Sequence, residues 1–279
     1  MQLKTIEFPF TLLTPCFSGT ALGKDAPQAE MRVPPIRGHI RSWHRILCGS
    51  ENANRVWGSA NGNNGSGSRV GLRVSGSPMS SGEKAAILPH KSGGNSGSRP
   101  SLPPSNSETP AYTLTLQRWV GCTHDDWNQA QAATKLWLLL GCLGLRSNRA
   151  AGSVWPNGDW VPDGEGSFKT MLASLGLSRV GVALIGLNAN VSPAELRRTA
   201  SDTVNDKSVF GGISPRAPSP TRFKVIQLGA AYCLLAIAPT TGAGVGTQSA
   251  KLQRAEQLLN GKPDARRWKA LGAWTYLFP

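Results

Sequence analysis

Acidic side chains are scarce in this chain. Asp and Glu number 16 against 30 Lys and Arg, which leaves a net charge of +14. That excess points to a polyanionic partner, nucleic acid first and an anionic membrane surface second. Charged residues of both signs make up only 16% of the chain, so the positive charge is mostly arginine set among apolar and small residues. Solvated lysine tails are lacking. The five cysteines (Cys16, Cys48, Cys122, Cys142, Cys233) are odd in number and never form a Cys-x-x-Cys pair. They read as reduced thiols of a cytoplasmic protein, with no zinc site. No run approaches the ~20 apolar residues of a membrane span, and MQLKTIEFPF lacks the apolar core of a signal peptide. A soluble, cytoplasmic protein without a membrane partner is expected. No Gly-Lys-Ser/Thr or Gly-x-Gly-x-x-Gly motif follows a strand, which argues against nucleotide binding. Asp125, Asp126, Asp159 and Asp163 show no metal-ligand spacing, so neither metal nor cofactor is expected.

What is plentiful is glycine (32), proline (20) and tryptophan (9) in 279 residues, enough chain for one large or two ordinary domains. Indoles can stack on bases, although most of these belong in a core. The stretch from Thr14 to Arg45 organises the rest. It reads as a strand end, a Ser18-Gly19 loop, an extended Arg-Val-Pro-Pro lead-in and a helix with Pro35 at its first position. Ile36, Ile40, Trp43 and Leu47 fall at helical spacing and form a buried stripe. Arg37, Arg41, His44 and Arg45 share that spacing and occupy the flank beside it, with no acidic partners. Such a row is either a solvated basic face or a track for phosphates, since each guanidinium can donate two parallel hydrogen bonds to an oxyanion.

Taken in order, Met1–Leu13 alternates as a half-buried strand, with Pro9 marking an edge or bulge. The ordered pattern after the basic helix closes at Trp57-Gly58. Ser59–Ser68 is too Gly/Ser/Asn-rich to form a core, and Arg69–Val74 is a short strand. Ser75–Pro110 is dominated by Ser, Gly and Pro and has almost nothing to bury. It reads as a long functional or flexible insertion, and removal of 82–104 is expected to leave the fold intact. Tyr112–Val120 is a strand. Asp125 or Asp126 caps a buried helix that runs to Leu145, followed by a glycine–arginine loop and a strand near Val154. Beyond it come a helix over Phe168–Leu177, a strand over Val180–Leu187, and a helix from the Ser192-Pro-Ala-Glu195 capping box to about Asp206. A rigid polar loop at Ser214–Pro220 precedes a hairpin of Arg222–Leu228 with Tyr232–Ala238. Two closing helices, Ser249–Leu259 and Asp264–Trp274, complete the chain. The Gly-Ala-Gly-Val-Gly run at 242–246 reads as a flexible connector. No internal repeat stands out.

The loop Gly144–Gly152 offers backbone N–H groups in a tight turn together with Arg146 and Arg149, a combination suited to a phosphate backbone. The alternative is a C-cap glycine with exposed arginines. His39 and His44 could act as acid and base in RNA cleavage, but they lie five residues apart on one helix and diverge.

Several of these residues form a pattern: Thr14-Pro15, Phe17, Gly19, Arg32-Val33-Pro34-Pro35-Ile36-Arg37-Gly38, Arg41, Trp43, Arg45, Trp57-Gly58, Ser68-Arg69-Val70, and the loop Leu143–Ser153. The pattern resembles the RAMP superfamily of CRISPR-associated proteins, and its order is most like the first-subunit family of the type III-B Cmr effector module. The resemblance covers roughly the first 75 residues and 140–155, with a faint echo at 214–238. Asn148 and Ala150-Ala151 depart from it, as does the 75–110 insertion. It implies an α+β fold of ferredoxin-like (RRM-like) domains, two in tandem, at 1–155 (with insertions at 59–68 and 75–110) and 156–279. It also implies a non-catalytic subunit that holds guide RNA, target RNA or both beside other RAMP subunits. The RNA-contacting residues would be Arg37, Gly38, Arg41, His44, Arg45, Arg69, Gly144, Arg146, Arg149 and Gly152. A metal-independent RAMP endoribonuclease that processes guide RNA is the alternative, and an RNA-binding protein outside CRISPR is a third.

Overall fold

The alternation over Thr5–Leu12 builds β1, with Phe8, Phe10 and Leu12 turned into the core. The computed structural model describes residues 4–19, 28–60, 65–76, 82–105, 112–178, 180–213, 216–217, 219–239 and 248–278. After β1 come α1 (Val33–Trp57), β2 (Val70–Gly76), β3 (Lys84–Ala86), β4 (Ser98–Pro100), β5 (Tyr112–Arg118), α2 (His124–Leu140) and β6 (Val154–Pro156). Four of these strands form an antiparallel sheet in the order β2-β5-β1-β6.

The second half continues with α3 (Glu165–Ser174), β7 (Val180–Ile185), α4 (Pro193–Ser201), α5 (Lys207–Phe210), β8 (Gly212–Ile213) and β9 (Arg216–Ala217). Then follow β10 (Arg222–Leu228), β11 (Ala231–Pro239), α6 (Gln248–Asn260), α7 (Arg266–Ala270) and β12 (Trp274–Phe278). Its antiparallel sheet has the order β10-β11-β7-β12. With the small hairpins set aside, each half runs strand–helix–strand–strand–helix–strand, and each sheet orders those strands second, third, first, fourth. The halves thus repeat one another in topology, which no residue-level similarity announces. Every residue of β7 (VGVALI) is buried, and one continuous core joins Phe8 in the first sheet to Leu277 in the second.

Several expectations are corrected, among them the helix expected to reach about Asp206, which ends at Ser201. The α1 helix is broken at Gly49 (φ 84°), a left-handed conformation that glycine adopts without a Cβ penalty, and its two arms fold back on each other. The cap of α2 is Thr123, whose hydroxyl accepts from the Asp126 N–H (3.1 Å) while the Asp126 carboxylate accepts from the Thr123 N–H (3.3 Å). That helix stops at Gly141 rather than Leu145. The insertion is not empty. Within it β3 pairs with β4, Ser101 and Leu102 are buried, and Leu102 exchanges backbone hydrogen bonds with Cys16. The last segment is only a five-residue helix followed by β12, an edge strand of the second sheet. The 242–246 run lies outside the described residues.

Candidate nucleic-acid interface

The basic flank of α1 turns out to be partly committed to the helix's own fold. Arg37 donates to the Trp57 carbonyl, and Arg41 donates to Asn54 Oδ1 (2.6 Å), both across the break at Gly49. His44 is not on the flank at all. It is fully buried, its Nδ1 accepts from Trp57 Nε1 (2.8 Å), and its Nε2 faces Gln129 Oε1 at 3.1 Å. That arrangement fixes a neutral imidazole, and burial pushes its pKa down, with Gln129 acting weakly against the shift. The residue packs and takes no part in an RNA track. Arg45 is exposed and Gly38 lies on the open side of the helix with no neighbour near its Cβ position. Burial, and the adjacent Arg45 and Arg37, lower the Arg41 pKa, so the three guanidiniums share one surface.

Arg69 is also diverted from the interface. It meets the wholly buried Asp126 carboxylate at 2.8 Å, opposite Arg55, also at 2.8 Å. Burial opposes ionisation of Asp126, but the two guanidiniums and Thr123 outweigh it and hold the carboxyl at about 2. This triad ties the second arm of α1, the start of β2 and the start of α2 together. Asp126 was legible as a helix-start acid, whereas its two arginine partners lie 71 and 57 residues away and carry no local signal.

The glycine–arginine loop is where the structure concentrates backbone strain. Gly144 (φ 85°), Arg146 (φ 64°), Ala150 (φ 59°) and Gly152 (φ 62°) all adopt the left-handed region within nine residues. A Cβ at Gly152 would stand 1.9 Å from the Leu143 carbonyl, and one at Gly144 would stand 2.7 Å from the Phe17 carbonyl. Both glycines therefore serve close backbone packing. The Thr14 hydroxyl donates to the Ala150 carbonyl (2.6 Å) and the Phe223 N–H donates to the Asn148 carbonyl (3.1 Å). The loop is thus clamped between the end of the first sheet's central strand and the edge of the second sheet.

Its two arginines part company. Arg149 turns inward, donating to the Phe210 carbonyl (2.8 Å) and Ser219 Oγ (3.2 Å) over the Phe210 ring, and burial lowers its pKa to about 10. It remains charged and acts as a bolt between the loop and the second half. The Arg146 carbonyl accepts from the Arg149 N–H (2.8 Å), but its guanidinium has no hydrogen bond or ion pair among the described residues, and burial lowers its pKa. It lines a cavity of 1150 Å³ together with Lys91, His90, Lys207 and Asn148. Among the described residues no Asp or Glu belongs to the wall, which is completed by hydroxyl side chains, Asn205, the apolar Leu88, Val204 and Phe210, and Gly211 and Gly212. Desolvation foremost, with the nearby Lys91, Lys262 and Arg146, lowers the His90 pKa against Asp202, and its Nδ1 is buried without a partner. The cations and hydroxyls of this wall suit an anion bearing several acceptor oxygens. Sequence reasoning found Arg146, but it missed Lys91, His90 and Lys207, which come from the insertion and from α5.

Two further buried cations were not foreseen. Arg197 on α4 donates to the Ala86 carbonyl in β3 (2.5 Å) and lies over the Phe17 ring, pinning the insertion to the second half. Lys224 on β10 is fully buried, donates to the Leu138 carbonyl (2.5 Å), and has its pKa lowered to about 7 by burial.

An α+β protein of two topologically matched halves, with a basic cavity at their junction, is the class defined so far. No family model and no curated protein matches the chain. Among solved structures it is similar to the apo form of Cmr1 from Pyrococcus furiosus, with a TM-score of 0.62 and 17% identity over 100% of this chain and 99% of that one. A chain of the type III-B Cmr-beta complex bound to cognate target RNA is also similar, with a TM-score of 0.49 and 12% identity over 91% of this chain and 99% of that one. The Cmr1 likeness is the one that bears on the fold. The chain has a Cmr1-like fold from end to end, in agreement with the motif resemblance.

Proposed function

We propose that the chain is an RNA-binding, non-catalytic subunit of a type III CRISPR ribonucleoprotein, holding guide or target RNA alongside other RAMP subunits. The observation that carries this reading is the cationic cavity at the strained glycine–arginine loop, whose wall among the described residues holds no carboxylate. The Cmr1-like fold and the RAMP-like motifs support the setting. We read both halves as ferredoxin-like domains, because each has the strand order and the two crossover helices of that fold. Guanidinium and ammonium groups can hold the phosphodiester anion by charged hydrogen bonds without a metal. Among the described residues no cluster of three or more His, Cys, Asp or Glu is placed to hold one.

Incubation of the purified chain with labelled CRISPR-repeat RNA tests the proposal. Retardation without cleavage is expected. Replacing Arg146 and Lys91 by alanine should weaken it about tenfold or more, since each charged hydrogen bond lost is worth ~1.5–3 kcal/mol. Site-specific cleavage in the absence of metal would instead establish the endoribonuclease alternative.

A further inference from the structure

The edge strand β2 carries a second, separate pocket. It has a volume of 330 Å³; Arg37, Arg73, Gln117 and Trp119 line it together with apolar residues such as Val33 and Leu72, and among the described residues no acid belongs to its wall. Trp119 is 46% exposed, whereas the other tryptophans are buried or half-buried. Its indole is nonetheless held in place. Nε1 donates to Gln117 Oε1 (3.4 Å), and the ring packs so close to Gly71 that a Cβ there would stand 2.9 Å from it. A large apolar ring fixed at the surface beside two guanidiniums has no structural use that its neighbours reveal. Its chemistry matches a nucleotide, which presents a π-face and a phosphate at once. An apolar protein partner would gain nothing from the two unneutralised arginines.

We propose that this pocket is a subsite for one nucleotide of a single-stranded RNA, with the base stacked on Trp119 and the phosphate held by Arg37 and Arg73. The subsite takes the identity of its ligand from the RNA-binding reading above, while its location stands on different residues. The test uses the full chain with two probes of equal length, an oligouridylate and its abasic counterpart. Trp119→Ala should weaken oligouridylate binding about tenfold and leave the abasic oligomer unaffected, because stacking needs the base. Trp119→Phe should retain most of the affinity, which guards against a folding artefact. Arg73→Ala should weaken both probes alike. If Trp119→Ala changes neither probe, or both equally, the subsite is overturned. A loss with Arg146→Ala in that same experiment would leave the RNA-binding reading standing. If the unaltered chain binds neither oligomer, both readings fall.

Discussion

Arg146 and Arg149 sit three residues apart in one loop and do opposite things, which sets the residue-scale predictions. Arg149 is anchored on the Phe210 carbonyl and the Ser219 hydroxyl, so Arg149→Ala leaves buried acceptors unpaired. A loss of roughly 2–3 kcal/mol in unfolding free energy is expected from denaturant titration. Arg146→Ala should leave that titration within about 0.5 kcal/mol and reduce only RNA affinity. Lys224 makes a pH prediction. Its native pKa of about 7 lies below the ordinary lysine value of 10.5, so between these limits the unfolded chain binds more protons than the native one. Stability should therefore rise with pH above about 7, at a slope approaching about 1.4 kcal/mol per pH unit. The clean window ends near pH 9, where the thiols Cys16 and Cys233, pushed up to about 12 by burial, begin to act in the opposite sense. Lys224→Met should flatten the rise between pH 7 and 9, and melting temperatures across that range would reveal a failure.

At the scale of elements, α1 and the insertion both behave differently from their local appearance. Trp43 lies in the buried stripe of α1, and Trp43→Ala should cost roughly 3–5 kcal/mol. The arginine flank reads from the sequence as a solvated face or a phosphate track, yet Arg37 and Arg41 each tie one arm of the helix to the other. Their joint removal should lower the melting temperature as well as RNA affinity. Removal of 82–104 is likewise no longer neutral. It would strip Leu102 from the core and leave the Arg197 guanidinium, buried and lowered to about 10, without the Ala86 carbonyl. A fall of several degrees in melting temperature is expected by calorimetry. An unchanged transition would show that these contacts contribute nothing.

For the whole molecule, binding should be governed by charge. If a single strand contacts about six phosphates, raising salt from ~50 to ~200 mM should weaken binding about 300-fold. A salt-insensitive affinity would contradict the cavity's assignment. The matched topology of the two halves has a mechanical corollary as well. The glycine–arginine loop is hydrogen-bonded to both, to Thr14 on one side and Phe223 on the other, so it reports on their junction rather than on either half.

Strands β1, β5, β10 and β11, the stripe Ile36/Ile40/Trp43 and the tight turn at Gly144–Gly152 were legible in the linear chain. Each rests on periodicity or on a backbone demand that acts over a few residues, and the overall basic charge needs no structure at all. The rest was decided in three dimensions. His44 and Arg45 are adjacent, and one is buried while the other is exposed, because the break at Gly49 brings Trp57 back onto the imidazole. Arg69 reads as basic surface until Asp126 is placed beside it. The closing strand β12 was not read from the sequence, where the last helix ran to Trp274, because its Trp274-Thr-Tyr-Leu-Phe alternation is short and gains its meaning only from pairing with β7. Lys91, Arg146 and Lys207 are far apart in the chain, and only the docking of the two halves makes them one cavity wall. Local rules settle which residues turn inward within an element. Which cations keep free donors depends on partners dozens of residues distant, and only the folded chain supplies them.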